Sequence, residues 1–452
     1  MKFSEQKYQK IVVLGAGESG LGAAMLARKM GREVFVSDGS KIAETYQQQL
    51  TAHQFEYEEG KHTFEPILQA DLIVKSPGIP DQAPVVLAAR SKEIPVISEI
   101  EFASWFSQAF IIGITGTNGK TTTTALTAHI MQQAGLDVCA AGNIGKSFAA
   151  ALAEADHEYF VLELSSFQLD GIVDFRPDIA VLLNITPDHL DRYGNRFEAY
   201  AESKWRITKN LTEQDAFIYN TDDDIINKLL INNNIKTRKF PISLQKHITK
   251  EGAFLANNKI NITINKQNFH MTLEQLALQG KHNAYNSMAA GVAAKLLDIR
   301  KESLKQSLSD FQNIAHRIEF VANVHGVAYY NDSKATSVNA TWYALETLDR
   351  PVVWIAGGQD KGNDYSSLVP LVKQKVKALI CLGADNNKLK QFFGELIEPI
   401  IETRSVEQAV MAASMIASKG DVVLLSPACA SFDLFRNFEE RGDMFKDAVK
   451  AL

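Results

Sequence analysis

Phe110-Ile-Ile-Gly-Ile-Thr115-Gly116-Thr117-Asn118-Gly119-Lys120-Thr121-Thr122 is the stretch that decides the fold. Phe110 to Ile114 reads as an apolar buried strand, a glycine-rich turn follows, and a helix begins near Lys120. At such a junction Gly116 and Gly119 leave backbone N–H groups open to phosphate oxygens. Lys120 can reach the β- and γ-phosphates, and a hydroxyl of Thr121 or Thr122 can meet Mg²⁺. The strict phosphate-loop pattern asks for a glycine six residues before the lysine, where this chain has Ile114. The groups needed for the chemistry are retained, so the loop predicts ATP as cosubstrate and a domain starting near residue 109.

Upstream lies a second glycine loop, Gly15-Ala-Gly17-Glu18-Ser19-Gly20, between a predicted strand Ile11–Leu14 and a helix Gly20–Met30. Asp38 ends the next predicted strand, 18 residues after Gly20. This is the Rossmann fingerprint in its context: one glycine for the turn, one for close approach of a pyrophosphate, one for helix–strand packing. The helix N-terminus adds N–H groups and a positive dipole end for the anion. Alone, the loop is compatible with an NAD-dependent dehydrogenase or with a tight turn that binds nothing. Two phosphate loops in one chain weigh against a dehydrogenase, which needs one. Ser76-Pro77-Gly78-Ile-Pro80, after the strand ending at Lys75, reads by itself as a turn.

Downstream, Glu163 ends the apolar run Tyr159–Leu164, a position suited to Mg²⁺ beside a phosphate loop. Asn184-Ile-Thr-Pro-Asp188-His189-Leu-Asp191-Arg192-Tyr193 gathers ionisable groups after the strand Ile179–Asn184. A lone His there is more often structural; in this cluster it reads as functional. Lys204, taken alone, is a solvated surface lysine. Residues 231–267 are Asn-rich, and the alternation after Ile260 suggests an antiparallel insertion. An Ala-rich helix follows over Asn283–Leu297. A third block starts near His316, with strands at Val352–Ile355, Ala378–Leu382 and Val422–Leu425. The fold class is α/β, with domains over 1–108, 109–314 and 315–452, the first Rossmann-like, the second built on the phosphate loop, and the third again α/β.

Composition fits this reading. The 452 residues allow two to four domains, and 46% hydrophobic with 22% charged residues is ordinary for a globular protein. A net charge of −6 gives no bulk drive toward nucleic acid. Cys139, Cys381 and Cys429 are far apart and form no metal-ligand spacing, as suits a reducing compartment. The polar N-terminus lacks a signal-peptide core, and Ile11–Leu26 is too short and too interrupted to span a bilayer. The expectation is a cytoplasmic protein with no membrane or nucleic-acid partner, and a monomer.

The motifs TGTNGKTT, ELSSFQL, NITPDHLDRY, GKHNAYN, HRIE, NDSKAT and LSPACASFDLFRNFEERGDMF occur in this order across essentially the whole chain. In this the chain resembles the Mur ligase family, and within it the branch that adds D-glutamate to UDP-N-acetylmuramoyl-L-alanine. The alanine-adding branch carries a His in the phosphate loop where this chain has Asn118. Folylpolyglutamate synthases lack the N-terminal domain. The resemblance implies three α/β domains: a Rossmann-like first domain for UDP, whose loop serves a substrate diphosphate rather than NAD, a phosphate-loop ATPase-like central domain for ATP, and a C-terminal domain, itself Rossmann-like, for the amino acid. It implies amide formation through an acyl phosphate and a tetrahedral intermediate, in peptidoglycan precursor synthesis.

Carried over by residue, the resemblance assigns Gly116, Thr117, Asn118, Gly119, Lys120, Thr121, Thr122, Asn283, Asn286, Arg317 and Asp332 to ATP. It assigns Gly17, Glu18, Ser19, Asp38, Ser76, Pro77 and Gly78 to UDP, and Asn143 and Ser165 to the muramoyl-alanine part. Lys334, Thr336, Lys361, Ser431 and Phe438 are assigned to D-glutamate. Thr121 and Glu163 would serve a first Mg²⁺, and His189 with a carbamylated Lys204 a second. Lys120, His189 and Lys204 form the catalytic set, and His189 or the carbamate is open as proton acceptor. Two departures stand out: Ser337 where the family usually has Asn, and Gly39, which offers no side chain after Asp38. An NAD-dependent oxidoreductase, a nucleotide-dependent regulator and a neighbouring amino-acid ligase remain the alternatives.

Overall fold

The computed structural model describes residues 8–278, 280–311, 315–348, 350–360 and 362–452. Its contacts divide the chain into a first unit, which runs to Leu276 and resumes over Asn283–Phe311, and a second, made of Ala277–His282 and the chain beyond Phe311. The first unit carries two sheets and the second carries one. No helix among the described residues is long and apolar enough to cross a membrane.

The first sheet has five parallel strands in the order Glu56–Glu59, Glu33–Asp38, Lys10–Leu14, Leu72–Lys75, Val96–Ser98. Val12, Val13 and Leu14 are buried, as the central strand of a sheet covered on both faces requires. Winding reverses about this strand, whose Leu14 pairs with Ser37 on one side and Lys75 on the other. The loops after Leu14 and Lys75 therefore flank a switch-point crevice, where open α/β sheets bind ligands. Gly20 sets the depth of that crevice. A Cβ there would lie 1.8 Å from the Gly15 carbonyl oxygen, so only glycine lets the helix Glu18–Lys29 start so close to the strand.

The second sheet has nine strands. Phe110–Thr115 lies between Tyr159–Glu163 and Ile179–Leu182, with Ile114 paired to Glu163 and Thr115 to Leu182. The phosphate loop and Glu163 thus leave the same edge of the sheet side by side. The Asn-rich region does form antiparallel strands, Gly252–Ala256, Lys259–Ile264 and Gln267–Thr272. They extend the same sheet through parallel pairing of Gly252–Ala256 with Arg238–Ser243. Alternation buries Ile260, Ile262 and Ile264.

The two sheets share one core, in which Ile97 of the first and Ile100 and Phe102 of the helix Glu99–Ser104 pack with Phe160 of the second and with Phe148 and Leu169 of its flanking helices. The buried Glu101 carboxylate fastens them, accepting from Trp105 Nε1 (2.9 Å) and from the backbone N–H groups of Val173 (2.8 Å), Asp174 (3.1 Å) and Phe175 (2.8 Å). The third sheet, in the second unit, runs Glu319–Val324, Val327–Asn331, Val422–Leu425, Val352–Ala356, Val376–Leu382, Ile400–Thr403. Only its first pair is antiparallel.

Candidate functional site

The crevice of the first sheet opens into a cleft of about 570 Å³ lined by Gly17, Glu18, Ser19, Asp38, Ser76, Pro77 and Gly78, together with Gly39, Ser40 and His62. The structure thus brings the predicted UDP residues of this sheet together, but not all with free side chains. Asp38 accepts from the N–H groups of Ala16 and Ser40 (both 2.8 Å), so it pins the glycine loop and its own turn. Glu18 accepts from Ser147 N–H (3.0 Å), on the helix flank of the second sheet. The N-terminus of the helix Glu18–Lys29 is the group in this cleft suited to an anion.

In the phosphate loop Gly116 and Gly119 have φ of 153° and 84°, conformations that suit glycine. A Cβ on Gly119 would lie 2.4 Å from Asn286 Oδ1, so the loop and the helix Lys281–Leu296 are fitted to each other. Asn286 donates to Asn283 Oδ1 (3.0 Å) and accepts from Thr123 (3.1 Å), which sets both Asn residues beside the loop. Lys120 Nζ donates to the carbonyls of Gly116 (2.8 Å) and Thr117 (2.7 Å), folding over the loop that it would share with a phosphate. Asn118 and Asn184 exchange hydrogen bonds, Asn118 N–H to Asn184 Oδ1 (2.8 Å) and Asn184 Nδ2 to the Asn118 carbonyl (3.0 Å). Thr121 and Thr122 are buried in the first turn of the following helix.

Lys204 is not the surface lysine its isolated reading gives. It is 2% exposed, its Nζ donates to the Gly116 carbonyl (2.9 Å), and it lies 4.8 Å from the Tyr200 ring centroid. Burial, then the nearby charge of Lys120, drives its pKa well below the usual lysine value, against the pull of Asp188, Glu163 and Asp170. Glu163 is also 2% exposed; its Oε1 accepts from Asn143 Nδ2 (2.9 Å) and its Oε2 is buried with no hydrogen-bond partner. Asn143 is thereby turned onto the carboxylate. Ser165 caps the short helix after Glu163 and exchanges hydrogen bonds with Gln168.

An orphaned buried carboxylate oxygen beside a phosphate loop and an amine whose charged form burial disfavours suits a hard cation, which takes oxygen ligands. Among the described residues no group of three or more His, Cys, Asp or Glu is placed to hold a metal. The donor set therefore fits Mg²⁺ only if phosphate oxygens and waters complete the shell, as Mg²⁺ commonly requires. His189 adopts a left-handed backbone (φ 52°) and is half exposed; its Nε2 lies 3.6 Å from Asp188 and its ring 5.2 Å from Phe167. The structure does not bring it into hydrogen-bond contact with Glu163 or Lys204.

In the second unit Asp332 is buried and accepts from Ile318 N–H (3.2 Å) and Ser426 Oγ (2.8 Å); burial raises its pKa to about 7. Lys334 stands 5.6 Å from the Phe438 ring. Ser431 follows the strand Val422–Leu425, and Thr336 the strand Val327–Asn331. These two strands are neighbours, so the loops carrying Lys334, Thr336 and Ser431 leave adjacent positions of the sheet. Arg317 precedes Glu319–Val324. Lys361 lies outside the described residues.

Two further residues hold these loops. Arg192 donates from Nη1 to the Gly78 carbonyl (3.0 Å) and from Nη2 to that of Pro77 (3.2 Å), with its guanidinium 4.6 Å from the Phe167 centroid. It ties the His189 segment to the cleft of the first sheet. Arg441, 1% exposed, donates to Ser333 Oγ (3.0 Å) and to the Ser333 carbonyl (2.9 Å). Burial lowers its pKa to about 10. His62 lines the first cleft. Arg192 and Arg441 lie inside motifs quoted above, but their partners are distant in sequence, and His62 lies in no motif.

Three families match in order: Mur ligase MurD-like, N-terminal domain, over residues 9–98; Mur ligase middle domain, over 114–294; and Mur ligase, glutamate ligase domain, over 316–429. A UDP-N-acetylmuramoylalanine--D-glutamate ligase of Christiangramia forsetii is 53% identical over 98% of this chain and 100% of its own length. One from Bacteroides fragilis is 52% identical over 98% and 100%. Among solved structures, the UDP-N-acetylmuramate-alanine ligase of Thermotoga maritima has a TM-score of 0.61 at 18% identity, covering 98% of this chain and 99% of that one. That likeness concerns the fold alone.

Proposed function

The chain belongs to the Mur ligase family, and we propose that it joins D-glutamate to UDP-N-acetylmuramoyl-L-alanine with conversion of ATP to ADP and phosphate. The observation that carries this reading is the identity of about half the residues, end to end, with relatives so named. The geometry supports it: the chain has a phosphate loop with a buried acid beside it, and a separate diphosphate-type cleft on the sheet packed next to it.

In the proposed reaction the alanyl carboxylate oxygen attacks the γ-phosphorus and the bond to ADP breaks. The neutral amine of D-glutamate then attacks the acyl carbon, and phosphate leaves the tetrahedral intermediate. Lys120 and the N–H groups of residues 116–119 hold the ATP phosphates. Asn283, Asn286, Arg317 and Asp332 complete the ATP site. Gly17–Ser19, Asp38 and Ser76–Gly78 hold UDP, and Asn143 and Ser165 lie toward the muramoyl-alanine part. Lys334, Thr336, Lys361, Ser431 and Phe438 position D-glutamate. Thr121, Glu163, His189 and Lys204 are the residues that would hold Mg²⁺, which when bound neutralises charge on the phosphates.

Burial disfavours the charged form of Lys204, and the unprotonated amine is suited to take up CO₂: an N–C bond forms, a proton is released, and a carboxylate replaces an amine in the buried site. We assign residues 1–108, 109–314 and 315–452 to UDP, ATP and amino-acid binding, and place a monomeric enzyme in the cytoplasm, where ATP is made. The test is product release. ADP and phosphate should form only with both UDP-N-acetylmuramoyl-L-alanine and D-glutamate present. Turnover with L-alanine as the amine in place of that pair would move the assignment to a neighbouring member of the family.

A further inference from the structure

The cleft of the first sheet has two ends. The helix N-terminus and Ser76–Gly78 form the diphosphate end, while Asp38, Gly39, Ser40 and His62 form the end beyond the strand Glu33–Asp38. In a Rossmann-type cleft an acidic residue at that strand end takes a ribose hydroxyl. Here both oxygens of Asp38 already accept backbone N–H groups. Gly39 brings no side chain, and its place is used differently. A Cβ on Gly39 would lie 3.0 Å from His62 Nε2 and 3.3 Å from its Cδ2, so glycine at 39 makes room for an imidazole lying over the backbone.

That imidazole is oriented from behind. Ser37 Oγ is 2.8 Å from Glu58 Oε1 and 2.7 Å from His62 Nδ1. Glu58 also accepts from Thr63 N–H (2.8 Å) and Thr63 Oγ (2.6 Å), and against the pull of partial burial these bonds hold its carboxyl below the usual glutamate value. An ionised carboxylate only accepts, so the single Ser37 hydroxyl proton goes to Glu58. Ser37 oxygen then accepts from His62 Nδ1–H, the tautomer that leaves the lone pair on Nε2. His62 is the one aromatic side chain among the residues lining the cleft.

We propose that His62, set by Ser37 and Glu58, recognises the uridine part of the substrate by accepting a hydrogen bond at Nε2 from a ribose hydroxyl or the imide N–H of the base. The inference rests on the first sheet being the UDP domain. The test is calorimetric titration of the full-length enzyme with UDP and with ATP. His62→Phe keeps a ring and removes the acceptor; it should weaken UDP about ten-fold while leaving ATP affinity and the melting temperature in place. His62→Gln, which restores an acceptor, should recover most of that loss. Titration with 2′-deoxy-UDP and 3′-deoxy-UDP separates the donors: a wild-type loss with either analogue matching that of His62→Phe identifies a ribose hydroxyl, and an unchanged wild-type affinity for both identifies the base. UDP affinity of His62→Phe within two-fold of wild type overturns the proposal. Wild-type enzyme that binds ATP but not UDP refutes the reading of the domain itself.

Discussion

Replacing Lys204 by Met separates the chemistry of the site from its stability. The side chain is buried, and its hydrogen bond goes to the Gly116 carbonyl. Losing one such bond costs about 0.5–1.5 kcal/mol. The Gly116 carbonyl keeps Lys120 Nζ at 2.8 Å, so no acceptor is orphaned. Met fills a similar volume and removes an amine whose charged form burial disfavours. The sum is a change within about 2 kcal/mol of zero, a few degrees in melting temperature at most. The sign with pH is also fixed. The folded pKa lies below the unfolded value, so unfolding takes up a proton, and wild-type stability rises with pH until the unfolded lysine loses its proton near 10.5. Any advantage of Lys204→Met should therefore shrink as pH rises. Activity should fall by at least ~100-fold, because even a group behind a metal ligand is worth 10–100-fold. Lys204→Ala should regain part of it with added formate or acetate. Denaturant titration between pH 6 and 10 and coupled ADP release are the assays. A stability loss above about 4 kcal/mol would make Lys204 a structural residue, and wild-type turnover in the variant would remove it from the reaction.

Two other perturbations test the frame around the site. Glu99 is buried, accepts from Ala149 N–H, and has its pKa raised to about 8 by burial. The folded state therefore holds a proton that the unfolded state releases, and stability contributed below the unfolded value is lost as pH rises toward 8. Glu99→Gln should match wild type near pH 5 and exceed it above pH 8 by a few kcal/mol in paired denaturant melts, since each tenfold difference in proton affinity between the folded and unfolded states is worth about 1.4 kcal/mol. Arg192→Ala removes both donors to the carbonyls of Pro77 and Gly78. Hydrogen exchange across residues 76–80 should quicken, and the KM for the UDP-linked substrate should rise several-fold while that for ATP stays put; unchanged exchange would remove Arg192 as the tie.

Much of the fold was legible because its two loops leave little choice of residue. Gly15, Gly20, Gly116 and Gly119 sit where a side chain would strain the backbone or strike a neighbouring atom, and each loop follows an apolar strand. Glu163 was readable as the polar end of such a strand. Lys204 was not: on the helix Phe197–Trp205 its neighbours Glu198, Glu202 and Arg206 look solvated, and its burial comes from Tyr200 and the phosphate loop, which is 88 residues away at Gly116. Arg192 reads as one more charge in a polar loop, since its partners lie 114 and 115 residues off. The edge strand Glu56–Glu59 carries three acids in four residues and shows no apolar alternation. Its value is in what it carries, since Glu58 orients His62 through Ser37. Contacts of this kind arise from tertiary packing, to which a local pattern is blind.

The joint between the first two sheets bears on how such an enzyme can be altered. A Cβ on Gly22 would lie 2.3 Å from Ser147 Oγ, Glu18 and Glu99 reach N–H groups of Ser147 and Ala149, and Glu101 holds three more at 173–175. Each of these pairs has one member before residue 109 and one after it. The segment that reads as a portable nucleotide module is therefore keyed to its neighbour like one half of a lock. A recombination point at residue 108 would separate every one of these pairs. The first two sheets should travel through evolution, and through any engineering of hybrids, as a single cassette.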